Sequence, residues 1–302
     1  MDNTPTPAAQ GFDTHRPRLL GIAYRMLGSH ADAQDVVQDA WLRWNSARPE
    51  DLRSAEAWLV TTVTRLSIDR LRAAKTAREH YTGFWLAEPV LTGAQDSPEQ
   101  MLEFAGDISL AFLAVLERLT PDERAAFLLR EVFDADYADM ARTLGKSQAA
   151  CRQLVSRAKA QVREGKTRFA VSREEHLRLL ERFAAAAREG NLATIKSLIS
   201  EDASLVSDGG GVVPSFGQVL RGAQRLAQLY FANALKHGKS LRLEIADING
   251  VPGLLRFVGG RLESVQSLYF ENGLLAEIHT QRNPAKLVRV LSQLERAGRL
   301  KG

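Results

Sequence analysis

Ser207-Asp208-Gly209-Gly210-Gly211-Val212-Val213-Pro214 is a stretch whose residue types could hold an anion, because three consecutive glycines let backbone N–H groups approach a ligand closely. The same freedom suits a tight contact with another part of the chain. Gly145-Lys146-Ser147, Gly165-Lys166-Thr167 and Gly238-Lys239-Ser240 end like phosphate-binding P-loops. Met140, Ala160 and Asn233 stand where the first glycine belongs, so nothing supports an ATPase. Asp208, Asp247, Tyr230 and His279 could supply acid or base groups, but nothing in their spacing makes two of them meet. The single cysteine, Cys151, excludes an internal disulfide, and the six histidines are scattered without zinc-like spacing. No metal and no cofactor is implied.

Charge carries a second kind of chemistry. The net charge is only +4, but it is unevenly distributed. Between Arg152 and Arg168 six basic residues face the single acid Glu164, and between Arg65 and His80 five face Asp69 and Glu79. Both segments are candidates for phosphate contact. In DAQDVVQDAWLRW, Asp32, Asp35 and Asp39 share one helical face, opposite a stripe of Val36, Ala40 and Trp44. On residue types alone that face is either a solvated surface or a docking face for a basic partner.

The elements that position these groups follow from periodicity and punctuation. Residues 12 to 80 read as helices, the first closed by Gly28, the second starting near His30 and the third running from about Ser54 to Ala74. Residues 81 to 105 lose the period and read as a linker. Helix returns over 106 to 168. There Thr120-Pro121-Asp122-Glu123 forms a capping-box signature, and helix, Gly145 turn and Ser147 N-cap spell a helix-turn-helix. In its second helix Cys151, Leu154, Val155 and Ala158 form the buried stripe. Gln148, Ala149, Arg152, Gln153, Ser156 and Arg157 remain outside, and Lys159 follows. From 173 to 302 the pattern changes to two helices, HLRLLERFAAAAREG and LATIKSLIS, short strands, an amphipathic helix near 222 to 237, and a meander. The meander turns at Asn249-Gly250, Gly259-Gly260 and Asn272-Gly273. Two all-α domains followed by a C-terminal α+β domain are expected. Nothing approaches the roughly 20 apolar residues of a membrane helix, and MDNTPTPAAQ lacks the pattern of a signal peptide, so a cytoplasmic protein is expected.

The acidic helix, with PRLLGIAYRMLGS before it and AWLVTTVTRLSIDRLR after it, resembles the sigma-2 domain of bacterial sigma factors. That resemblance implies that Asp32, Asp35, Gln38 and Asp39 grip core RNA polymerase, through its β′ subunit with β as a further contact. It also implies that Trp58, Arg65, Asp69, Arg70, Arg72 and Lys75 meet the promoter −10 element and help open the duplex. Trp58 equally suits a place in the core. The helix-turn-helix resembles the sigma-4 domain that reads the −35 element. Arg152 and Gln153 would then read base edges while Arg157 and Lys159 hold phosphates.

This pair of domains without other sigma regions is similar to the extracytoplasmic-function group. Its SigJ-like subgroup carries a fused SnoaL-like, NTF2-type cone. Three short signatures carry the subgroup resemblance. They are Trp85-Leu86-Ala87-Glu88-Pro89, with Ala87 where proline is usual, then Asp208-Gly209-Gly210-Gly211, and Asn283-Pro284-Ala285-Lys286-Leu287. The resemblance implies a sigma factor, not an enzyme, that brings polymerase to promoter DNA and is regulated by intramolecular contact with its own extension. A small ligand in the cone is compatible with that. An operator-binding regulator has no need of residues 12 to 80, and an enzyme would require turnover by the cone.

Overall fold

The computed structural model describes residues 7–47, 54–79, 81, 83–93, 108–166 and 171–300. Residues 94–105 of the expected linker, and Arg168 of the basic segment, lie outside the described residues. The chain divides into two compact units. One is formed by the described parts of Met1–Glu79, Asp96–Ile108 and Phe112–Gly165, the other by those of His80–Gln95, Ser109–Ala111 and Lys166–Gly302.

In the first unit, α1 (Pro7–Leu27), α2 (His30–Ala47) and α3 (Ala55–Glu79) pack on one another. Gly28 adopts a left-handed φ of 65° and donates to the Tyr24 carbonyl at 2.7 Å, ending α1 as its position in the pattern predicts. Ser29 and Ser54 start the next two helices by accepting from Asp32 N and Ala57 N, each at 3.2 Å. Leu19, Ile22, Met26, Val36, Ala40, Leu59 and Val63 are buried between the helices. Each large aliphatic among them is worth about 1.5–3 kcal/mol of transfer free energy.

The helical segment continues through α4 (Leu110–Leu116), α5 (Pro121–Phe127), α6 (Tyr137–Leu144) and α7 (Gln148–Lys166). Thr120 and Glu123 close the reciprocal capping box at the start of α5. A π-helical turn, Leu128–Val132, follows, for which the 3.6-residue pattern has no sign. Gly145 turns the chain at φ 63°, and Ser147 Oγ accepts from Ala150 N at 3.2 Å to start α7. Ala126, Leu129, Met140, Cys151, Leu154 and Val155 are the core of this helix-turn-helix, and Val60 of α3 packs against it. Cys151 is thus a small core side chain, its thiol pKa raised by burial.

The second unit is one six-stranded sheet with helices. It runs α8 (Arg173–Glu189), α9 (Leu192–Ser197), β1 (Ile199–Asp208), β2 (Leu220–Arg221), α10 (Ala223–His237), β3 (Leu241–Ile248), β4 (Val251–Val258), β5 (Arg261–Glu271), β6 (Leu274–Gln281) and α11 (Pro284–Arg296). Strand order is β2-β1-β6-β5-β4-β3, with β1 parallel to β6 and the other neighbours antiparallel. The three hairpins turn where expected. Asn249 and Gly250 have φ 52° and 78°, Gly259 and Gly260 56° and 79°, Asn272 and Gly273 51° and 77°. Phe183, Leu180, Leu226, Leu254, Leu268 and Ile278 belong to the core between helices and sheet. Two boundaries differ from the sequence reading. In the first unit α3 runs on to Glu79, past the expected end near Ala74. LATIKSLIS is helical only to Ser197, because Leu198 O accepts from Leu275 N at 2.9 Å and Ile199 begins the pairing of β1 with β6.

Candidate functional site

In the second unit the three short signatures converge on one carboxylate. Asp208 ends β1 with its side chain fully buried. Its Oδ1 accepts from the Tyr81 hydroxyl at 2.6 Å and from Gly210 N at 3.0 Å. Its Oδ2 accepts from Leu86 N at 3.0 Å, Gln281 Nε2 at 3.1 Å and Lys286 Nζ at 2.8 Å. Burial, and then the Asp208 carboxylate, push the Tyr81 hydroxyl well above the ordinary tyrosine range and keep it a donor.

Lys286 Nζ also donates to Leu86 O at 2.7 Å and lies 3.9 Å from the centre of the Trp85 ring and 5.1 Å from that of Tyr81. Asn283 caps α11 through Ala285 N at 3.0 Å while its Nδ2 donates to the Tyr81 hydroxyl at 2.8 Å. Pro284 occupies the first turn of α11, and Leu287 is buried. The cap and the contact with residue 81 therefore share one side chain.

The glycines serve this geometry. A Cβ on Gly209 would meet Val213 O at 2.3 Å. At Gly210, where φ is 66°, it would meet Asn283 Cγ at 2.5 Å. Gly211 follows with φ 70°. Close approach to Asn283 and to its own loop, together with left-handed backbone, accounts for the run.

Residues 86–92 are hydrogen-bonded to the same unit. Val90 N donates to Asn249 Oδ1 and Asn249 N returns a bond to Val90 O, at 2.9 and 2.8 Å. Gln293 holds both backbone groups of Leu91, at 3.1 and 2.9 Å. Gln281 Nε2 is within 3.2 Å of Leu86 O and 3.3 Å of Ala87 O. Glu88 and Pro89 are buried and Trp85 is half-buried. Tyr81, Asn249, Gln281 and Gln293 were not singled out from sequence as parts of this contact. Asn249 carried only its turn signal, and the other three have no local signature.

The four acid–base candidates do not form one centre. Asp208 is saturated with donors, Asp247 binds the Arg173 guanidinium at 2.6 and 2.7 Å, and His279 pairs with Glu277 at 2.7 Å. Tyr230 donates to Gln266 Oε1 at 3.0 Å, and burial raises its pKa so that it stays neutral.

The first unit presents the charged helix faces. Arg70 of α3 donates to Asp32 Oδ1 at 3.1 and 2.6 Å and to Asp35 Oδ2 at 3.0 Å. The bond to Asp32 is the leading cause of its raised pKa. Gln38 and Asp39 are exposed on the same helix. Arg65 caps the end of α6 through the carbonyls of Thr143 and Arg142, at 2.8 and 2.7 Å. Arg72 reaches Asp122 at 3.1 Å and lies 3.8 Å from Asp69, while Lys75 is exposed. Trp58 is half-buried in a tilted contact with Trp44 at 5.6 Å.

On α7, Gln148, Ala149, Arg152, Gln153, Ser156 and Arg157 are exposed. Arg152 lies over the Tyr137 ring at 4.9 Å. Arg157 is 3.4 Å from Glu123 and Lys159 2.8 Å from Glu131. Exposed pairs of this kind are worth about 0–1 kcal/mol. Among the described residues no cluster of metal-binding side chains occurs, and no helix is long and apolar enough to cross a membrane.

Comparison with known proteins falls along the same lines. Residues 12–77 match sigma-70 region 2, and residues 109–162 match sigma-70 region 4. The chain is 38% identical to the ECF RNA polymerase sigma factor SigJ of Mycobacterium tuberculosis over 80% of this chain and 78% of that protein. It is 29% identical to SigI of the same species over 93% of this chain and 95% of that one. The crystal structure of the M. tuberculosis SigJ protein superposes with a TM-score of 0.76 at 32% identity, covering 93% of this chain and 98% of the other.

Proposed function

Because this chain belongs to the extracytoplasmic-function RNA polymerase sigma factors of the SigJ type, which direct core polymerase to promoter DNA and are not enzymes, we propose that its own SnoaL-like domain modulates that activity by clamping the interdomain linker at Asp208. The observation that carries this is the convergence of Tyr81, Leu86 N, Gln281 and Lys286 on one buried carboxylate. Residues 81–93 lie between the two sigma regions in the chain. Whatever holds them restricts how far those regions separate.

Asp32, Asp35, Gln38 and Asp39 are the polymerase-binding face in this reading, meeting basic surface on the β′ subunit, with β as a second contact. Arg65, Asp69, Arg70, Arg72 and Lys75 take the −10 DNA, with Trp58 supporting them from the core. Gln148, Ala149, Arg152, Gln153, Ser156, Arg157 and Lys159 take the −35 DNA. Domain limits of 12–80, 106–168 and 173–302 around the linker follow, in a protein that works beside polymerase in the cytoplasm. The cone is a regulatory and not a catalytic domain, since Asp208 and Asp247 are committed to cationic or hydrogen-bonding partners.

Elements about 25 base pairs apart are separated by roughly 85 Å at ~3.4 Å per pair. Arg65 hydrogen-bonds α6 directly, so promoter engagement requires that contact to open, which supports reading the described arrangement as a resting form. Run-off transcription with purified core polymerase tests the proposal. Asp208→Asn together with Lys286→Met, which removes both charges of the clamp, is expected to raise promoter-specific initiation. Removal of the whole extension is expected to change it as well. Unchanged transcription from both proteins sinks the regulatory reading.

A further inference from the structure

The cone of the second unit holds a cavity of about 430 Å³ that is separate from the Asp208 clamp. That volume lies within the ~300–1,000 Å³ range of small-molecule sites. Leu205, Leu229, Leu243, Val258 and Phe216 form an apolar wall. The polar lining includes Arg256, Glu263, Thr280 and Arg282, with Lys236 and His237.

The polar side is incompletely satisfied. Thr280 is only 4% exposed and its Oγ1 has no hydrogen-bond partner. Arg282 donates through Nη2 to Glu263 Oε1 and through Nη1 to Pro214 O, and its Nε is buried without a partner. Arg256 donates through Nη2 to Asn233 Oδ1 at 2.9 Å. Its Nη1 is 3.1 Å from Glu263 Oε2 but is not aligned for a hydrogen bond. A buried donor or acceptor left unmade costs about 1–3 kcal/mol, a penalty that a suitable ligand would relieve.

Two guanidiniums face one carboxylate and Lys236 of the same lining adds a further cation, so positive charge is in excess beside an apolar wall. Partly buried cations of this kind are stabilised by a counter-charge of matching geometry. A carboxylate fits, because its two oxygens match the planar donors of arginine. A neutral alcohol leaves the excess in place.

We propose that this cavity binds an amphipathic carboxylic acid, its apolar body along Leu205, Leu229, Leu243 and Val258 and its carboxylate at Arg282, Arg256 and the Thr280 hydroxyl. No covalent step is involved. The site stands whether or not the linker clamp controls transcription, and its test reads binding alone.

Titration calorimetry of the full-length protein with decanoate, decanol and decyl phosphate distinguishes the classes. Decanoate is expected to bind about ten-fold or more tightly than decanol, a difference of ~1.4 kcal/mol. Arg282→Gln brings the preference for acid over alcohol to about one-fold. Thr280→Val, which keeps the side-chain shape, weakens decanoate roughly five-fold with the melting temperature unchanged, and it decides the matter if Arg282→Gln does not fold. Val258→Trp fills the cavity and abolishes binding. Equal affinity for acid and alcohol, tighter binding of the phosphate, or no binding of any of the three overturns the proposal. So does decanoate binding that survives Val258→Trp.

Discussion

The charged groups of the two units are held in opposite ways. In the first unit Arg70 and Arg72 of α3 and Arg157 and Lys159 of α7 sit in ion pairs with the cation open to solvent. Arg72 and Asp122 leave 57% and 27% of their side chains exposed, and Arg157 leaves 62%. In the second unit Asp208 is wholly covered and Lys286 is 14% exposed. Exposed pairs exchange partners at little cost, whereas a buried carboxylate with five donors is released only by moving the segments that supply them. Under the proposed function, the first arrangement suits surfaces that trade internal partners for phosphates and polymerase. The second suits a latch.

The largest effect that tests this contrast is expected from Asp208→Ala. It leaves Lys286 without its counter-charge and four other donors without their acceptor, at a cost of about 3–5 kcal/mol. Thermal unfolding of the full chain should show the loss, and limited proteolysis should show cutting within residues 81–93. Wild-type resistance to protease in this variant would break the idea of a latch. Next comes Gly210→Ala, where φ is 66° and the new Cβ would lie 2.5 Å from Asn283 Cγ. A loss of about 1–3 kcal/mol is expected, with proteolysis again at the linker, and a neutral result would mean that the loop is not tightly docked. The smallest stability effect is expected from Arg72→Ala, about 1 kcal/mol or less by denaturant titration. Its signature lies instead in promoter binding by the holoenzyme, where the slope of log affinity against log salt should fall by about one. An unaltered slope would leave Arg72 as a structural ion-pair residue and narrow the contrast.

Much of the fold was legible because it rests on local rules. Gly28, the Thr120 capping box, Gly145 and Ser147 each act within a few residues of chain, and each sits at its expected boundary. The same holds for the three hairpin turns, whose residue pairs specify positive φ. The end of α9 was misread because Leu198 and Ile199 are claimed by β6, a strand more than seventy residues later in the chain.

The candidate site was legible in part. Asp208 and the glycines after it stood out by type, as did Asn283 by its capping position. Tyr81, Gln281 and Gln293 did not, since their roles exist only where distant segments meet. The charged faces were readable as faces, but their present partners were not. Arg65 on the carbonyls of α6 and Arg70 on Asp32 and Asp35 join groups first assigned to different tasks.

By itself the sequence determined the order of helices and strands, the helix-turn-helix, the segregation of charge and the family to which these motifs point, because periodicity, caps and turns are set by neighbours along the chain. Tertiary structure alone decided that Asp208 is buried under five donors, that its glycines make room for Asn283 and their own loop, and that the cone keeps unpaired polar atoms beside an apolar wall. Those outcomes depend on burial and on which donors arrive from far along the chain, and neither can be read from spacing.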